Sequence, residues 1–98
     1  MATFIVLGNF TDQGIRSIKE SPKRSDAFKA LAAKVGVKVK DIYWTMGHYD
    51  IVTVVEATDA ATATSLGLAI ASLGNVRTET LTAFSAEEFG KILGKMPS

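Results

Sequence analysis

Cysteine is missing from this chain of 98 residues, and that absence removes several chemistries at once. No disulfide framework, thiolate zinc site, iron–sulfur cluster or thiol nucleophile can be built without it. Histidine and tryptophan occur once each. With one imidazole and scattered carboxylates there is no metal-ligand spacing, so no metal is expected. No apolar run approaches the roughly 20 residues of a membrane span. The opening MATFIVLGNF lacks both the basic start and the length of a secretory signal. These readings, with the missing disulfides, lead us to expect a soluble cytoplasmic protein with no membrane partner. Net charge is only +1, too little to call for nucleic acid, and the Lys/Arg-Gly-Phe run of sheet-based RNA binders is missing. Prolines number 2 and hydrophobic residues reach 47%, which argues against disorder and for one folded domain spanning 1–98.

The few charges are unevenly spread. Residues 11–40 hold eight basic side chains against three acidic ones, whereas the remainder holds three against seven. Such a basic segment reads either as a solvated helix face or as the surround of an anion site.

Hydrophobic periodicity orders the elements. TFIVLGNF (3–10) is rich in β-branched and aromatic residues and is apolar on both faces, with Phe4, Val6 and Phe10 on one and Ile5 and Leu7 on the other. Thr11 is placed to cap a helix from Asp12. Pro22 must break or kink that helix, and Ser21-Pro22 suits a restart with Ser as cap and Pro at the first helical position. Ala27, Phe28, Leu31, Ala32 and Val35 then form one stripe, which Gly36 stops. Strands are expected over 37–46 and 49–57. Asp59 caps an Ala-rich helix to about Leu73, striped by Ala63, Leu66, Ile70 and Leu73. A further strand covers 76–84, and Ser85 with Glu88 forms a capping box for a last helix to about Gly94.

The order β-α-β-β-α-β-α is that of the ferredoxin-like split βαβ, an α+β fold with helices on one face of a four-stranded antiparallel sheet. Its other face would be open and apolar in a monomer, so we expect a homodimer or a higher homo-oligomer.

The densest group of functional side chains is WTMGHYDIV (44–52). A two-residue Gly47-His48 loop of type II′ would pair Met46 with Tyr49, Thr45 with Asp50, Trp44 with Ile51 and Tyr43 with Val52. Trp44, Met46, Tyr49 and Ile51 would then share one face, and Tyr43, Thr45, Asp50, Val52 and Glu56 the other. An Asp in a largely covered strand must find a partner. It serves either the backbone of the turn or a ligand. Asp50 and Glu56 lie about 20 Å apart along one strand at roughly 3.4 Å per residue, beyond the about 10 Å of paired glycosidase carboxylates. The two glycines of GNFTDQG do not match GxGxxG, so no dinucleotide is indicated and no cofactor is expected. Thr11 and the amides behind it, with Arg16 and Lys19 on the next turns, could hold a small anion. The candidate ligand-binding residues are therefore Asn9, Thr11, Arg16, Tyr43, Tyr49 and Asp50. No catalytic residue stands out.

GNFTDQGIRSIKESPKR, YWTMGHYDIVTVVEA and LGNVRTETLTAF together resemble the GYD domain family over about residues 1–90. The namesake Gly-x-Tyr-Asp falls on Gly47, Tyr49 and Asp50, with His48 at the variable position. The resemblance implies the dimeric α/β barrel variety of the ferredoxin-like class and implies no reaction. TMGHYDIVTVVEATD and LGNVRTETLTAF are also similar, more distantly, to the effector-binding domain of leucine-responsive transcription regulators. Those domains oligomerise and bind small metabolites at subunit interfaces, and their DNA-binding helix-turn-helix is lacking in this chain. Two functions stay open. One is an oligomeric module that binds or senses a small metabolite, with an anion as one option. The other is a cofactor-free enzyme of the α/β barrel type, monooxygenase-like or isomerase-like, with Asp50, Tyr43 or His48 moving protons.

Overall fold

The computed structural model describes residues 1–98. Strand β1 (Ala2–Phe10) leads into a short helix α1 (Asp12–Arg16) and a 3-10 turn (Ile18–Glu20), then helix α2 (Ser21–Lys34). Strands β2 (Lys38–Trp44) and β3 (Ile51–Ala57) form a hairpin, followed by helix α3 (Ala60–Ala71), strand β4 (Val76–Ala83) and helix α4 (Ala86–Leu93). The sheet is antiparallel throughout in the order β2-β3-β1-β4. This is the expected ferredoxin-like arrangement, and the run that is apolar on both faces is a central strand.

Local chemistry sets the ends of the helices. Thr11 caps α1, and Asp59 caps α3 by accepting from the Thr62 N–H. The Ser85–Glu88 capping box is complete in both directions. Gly36, at φ +75°, ends α2 in a Schellman motif: its N–H donates to the Ala33 carbonyl and the Val37 N–H to the Ala32 carbonyl. The start of α2 differs from expectation. Ser21 is itself helical, Glu20 occupies the cap position, and the 3-10 turn bridges to α1. With Ser21 inside the helix, its hydroxyl instead accepts from Arg24.

The buried core lies toward one end of the sheet. Phe4, Val55 and Ala57 meet Ala32 and Val37 from the far end of α2, and Ala63 and Leu66 from the start of α3. Small residues let the two helices close there. Half-buried Phe28 and Leu31 pack against this cluster; toward the other end Ile70 is half-buried and Leu73 is 61% exposed. The helices therefore stand away from the sheet at that end. Helix α4 packs on no other element to any substantial extent; all its residues except Ile92 are exposed. The molecule is accordingly elongated, with extents of 53 × 31 × 19 Å.

α1 is stitched to the turn between α3 and β4. The Thr11 N–H donates to the Asn75 carbonyl, its hydroxyl donates to the Gly74 carbonyl, and Gln13 Nε2 donates to the Leu73 carbonyl and the Asn75 side chain. Gly14 is buried in this seam, and a Cβ there would stand 2.0 Å from the Asn75 carbonyl oxygen. Backbone opposes it, so relief requires the seam to open. Gly14→Ala should therefore cost about 3 kcal/mol in urea unfolding. Gly90→Ala, at a helical site with nothing within 4 Å, should gain about 0.5–1 kcal/mol.

Candidate functional site

The β2–β3 hairpin keeps part of its expected register. Trp44 opposes Ile51 and Tyr43 opposes Val52, and the Thr45 N–H donates to the Asp50 carbonyl at 2.8 Å. Met46 and Tyr49 do not pair, which corrects the two-residue turn. The loop runs from Met46 to Tyr49, with Gly47 at φ +133°, and the Thr45 hydroxyl closes it by donating to the Tyr49 carbonyl at 2.6 Å. Freed from the ladder, Tyr49 swings over the open face, where its hydroxyl donates to Glu79 Oε2 of β4 at 3.2 Å. It therefore does not share a face with Trp44. Met46 is 99% exposed. The strand also bulges between Val39 and Asp41, which brings Ile42 and Trp44 onto the helix-covered side.

Asp50 serves the sheet. Its N–H donates to the Gly8 carbonyl, and its carboxylate accepts the Phe10 N–H at 3.0 Å. It thereby continues the β3–β1 ladder with a side chain where the backbone has turned away. Around it on the open face lie Asn9, opposite Arg77 in register, and Tyr43, 54% exposed. Asn9, Tyr43, Tyr49 and Asp50 thus gather at one end of one sheet face. Thr11 and Arg16 do not join them. The Thr11 hydroxyl is engaged both as donor, to Gly74, and as acceptor, from the Gly14 N–H. Arg16 and Lys19 are not brought to the cluster, and His48 is exposed on its loop.

An apolar cavity lies on the opposite side of the sheet, where the helices stand off. It measures about 410 Å³, within the range of small-molecule sites. Its floor is Val6, Phe10, Ile42, Trp44 and Ile51; its roof includes Phe28 and Leu31 of α2 and Ile70 of α3. Buried Gly67 of α3 faces the hydroxyls of Thr78 and Thr80 of β4 here, which a Cβ would meet at ordinary contact distances of 3.6 and 3.7 Å. Asp50, Tyr43 and His48 are not among the lining residues, so the proton-handling groups expected of an enzyme pocket are not brought to it. A single cation does reach it: Arg24 lines the cavity near the start of α2. It was not among the candidates from sequence, although a signal existed: positions 24, 28, 31 and 35 share one helical line, so a charge stands on the apolar stripe.

Fold and cavity together define a ferredoxin-like α+β domain with a ligand-sized apolar chamber and an uncovered sheet face. The chain belongs to the GYD domain family, whose profile matches residues 4–93. It is 44% identical over 84 residues to a Thermus thermophilus protein named glutamine synthetase and cystathionine beta-lyase binding protein, covering 85% of this chain and 88% of that relative. A solved structure, also from Thermus thermophilus, is 31% identical, with a TM-score of 0.57 over 88% of this chain and 96% of that one. A feast or famine regulatory protein from M. tuberculosis, solved with L-methionine, is 20% identical with a TM-score of 0.57, over 88% of this chain and 52% of its own. That likeness is one of fold, and it agrees with the similarity to effector-binding domains seen in the sequence.

The role of Asp50 yields a paired expectation. Asp50→Ala strands the half-buried Phe10 N–H and should lower stability by about 1.5–3 kcal/mol; Asp50→Asn keeps an acceptor oxygen and should cost less than about 1 kcal/mol, both read from urea unfolding. Tyr49 supplies a second test. The Glu79 charge, and then the hydrogen bond to it, hold the phenol above its ordinary value. A group with a raised folded pKa stabilises fully below its unfolded value, about 10 for Tyr, and loses that contribution as pH rises through the folded value. Spectrophotometric titration should therefore show one of the two tyrosines ionising late, and Glu79→Gln should remove the delay.

Proposed function

We propose that the chain is a homo-oligomeric binding module that takes a small apolar molecule into a chamber of each subunit. The observation that carries this reading is the cavity between the helices and the sheet. It has the size of a ligand site and apolar walls, and it lacks any Asp, Glu, His, Tyr or Lys to move a proton. Binding therefore fits it better than the cofactor-free enzyme. The M. tuberculosis neighbour was solved with an amino acid, which agrees with small-molecule binding in this fold.

The open sheet face supports the oligomer. Strand alternation places Ile5, Leu7, Val52, Val54 and Leu81 on it, and Leu81 is 42% exposed. The detached α4 adds Phe89 and Leu93, each at least half exposed. A second copy seated on this face would cover both, with Asn9, Tyr43, Tyr49 and Asp50 at the rim of the interface and Arg16 outside it. The cytoplasm is the compartment we assign, because a chain without cysteine needs no oxidising environment; no helix is long and apolar enough to cross a membrane. A second reading rests on the 44% identical relative, whose name describes binding to two enzymes. On that reading, the surface of α4 serves a different protein.

Sedimentation of the full chain separates the two. The oligomeric reading expects a dimer or larger species at micromolar concentration, and Leu7→Glu should convert it to a monomer with unchanged helical circular dichroism. A wild-type chain that sediments as a monomer would exclude the self-associating module and favour the heterologous partner.

A further inference from the structure

Resting on the binding-module reading, the next question is which molecule the chamber takes. Its wall holds a single charged side chain, Arg24. The guanidinium is half-buried and makes three hydrogen bonds: Nη1 to the Ser17 hydroxyl at 3.0 Å, and Nη2 to the Gly14 carbonyl and the Ser21 hydroxyl, both at 3.3 Å. Every one of these acceptors is neutral. The only ion pairs in the molecule join Lys23 to Glu20 and Lys91 to Glu87, so Arg24 has no carboxylate partner. A guanidinium carries five N–H donors, and three bonds to neutral oxygens leave its charge uncompensated beside apolar walls. Placing a cation in such surroundings is unfavourable unless an anion accompanies it.

The remaining polar lining is neutral, consisting of Ser21, Ser25, Thr53, Asn75 and Thr78. Nothing there offers a negative charge to an ammonium group. The chamber thus matches a molecule with one negative end, an apolar body and no positive charge. Phe28, Leu31, Trp44 and Ile70 would enclose the body, while the fork of Arg24 meets the anionic end.

We propose that the chamber binds a free apolar monocarboxylate, such as an aliphatic or aryl-alkyl acid, with Arg24 as the carboxylate-binding residue, and that it discriminates against α-amino acids of the same body. The discrimination follows from the missing acidic side chain: an ammonium group would enter an apolar chamber already holding a cation. Arg24 also joins α1, the 3-10 turn and α2 through its three bonds, so an anion arriving there touches the group that holds these elements together.

Trp44, the chain's single Trp, lines the chamber and reports on its occupancy. The test titrates the full chain with octanoate, octanamide and 2-aminooctanoate while following Trp44 fluorescence. Octanoate should bind at least about tenfold more tightly than either analogue, because octanamide exchanges a charge-assisted bond for a neutral one and 2-aminooctanoate brings an ammonium group into a chamber that already holds a cation. Arg24→Gln should bring octanoate down to the octanamide level and leave octanamide where it was. Ala27→Phe, at a position on the chamber's edge, should weaken all three probes. A purely structural Arg24 would lower Tm in the Gln variant without moving the octanoate-to-octanamide ratio, and that result would overturn the assignment. Octanamide or 2-aminooctanoate matching octanoate on the wild-type chain would also overturn it, even were Arg24→Gln unable to fold, while leaving the chamber as a binding site. Binding that Ala27→Phe does not weaken would place the probes elsewhere and overturn it as well. If none of the three probes binds, the binding-module reading falls with it.

Discussion

β1 is apolar on both faces and sits between β3 and β4, and the rest of the structure depends on that constraint. A strand hydrogen-bonded on both edges can bury side chains only above and below the sheet. Below, Phe4 and Val6 draw α2 and α3 onto the sheet. Above, Ile5 and Leu7 are only partly covered within the chain. The helices thus have a side assigned to them, and the other side is left open. Burial of Phe4 against Val55 and the alanines of the helices closes the layers at one end. Those alanines also set how closely α2 and α3 can meet.

The cavity and the hairpin follow from that wedge. Where the helices stand off, Trp44, Ile42 and Ile51 face a chamber rather than a packed core. The bulge in β2 and the long Met46–Tyr49 loop turn the reactive-looking residues of the hairpin away from it. Asp50 completes the ladder to β1, and Tyr49 pairs with Glu79 on the open face. The residues of the family signature also hold this part of the sheet together. Gly47 provides the turn, Tyr49 bridges to β4, and Asp50 replaces a backbone acceptor for Phe10. The candidate ligand chemistry lies elsewhere, on α2.

Much of the fold could be read from spacing. Thr11, Asp59 and the Ser85–Glu88 box mark helix starts because an unpaired backbone N–H needs a nearby oxygen whatever the tertiary context. Gly36 marks a helix end because its φ of +75° is open to few other residues. Strand pairing correctly set Tyr43 opposite Val52. The site was less legible. Thr11 is an apt anion ligand in sequence, but its hydroxyl is consumed by Gly74 and Gly14, which only the α1–β4 seam brings to it. The Tyr49 side chain could not be placed from alternation, because its loop is closed by the Thr45 hydroxyl instead of by a backbone pair.

By itself the sequence determined the order of elements, the helix caps, the two-sided apolarity of β1 and the membership of the GYD domain family. The first three depend on contacts a few residues apart or on patterns of period 2 and 3.6, and the last on the resemblance of whole motifs to the family. The tertiary structure decided which face of the sheet each helix covers, the gap between α2 and the sheet, and the company of Arg24. In the chain, Arg24 is one of eight basic residues in a basic segment. Its distinction comes from an apolar chamber built by several separate elements, and from having no ion pair there. Long-range packing alone creates both conditions, because no residue near Arg24 in sequence carries the information about which side chains will surround it.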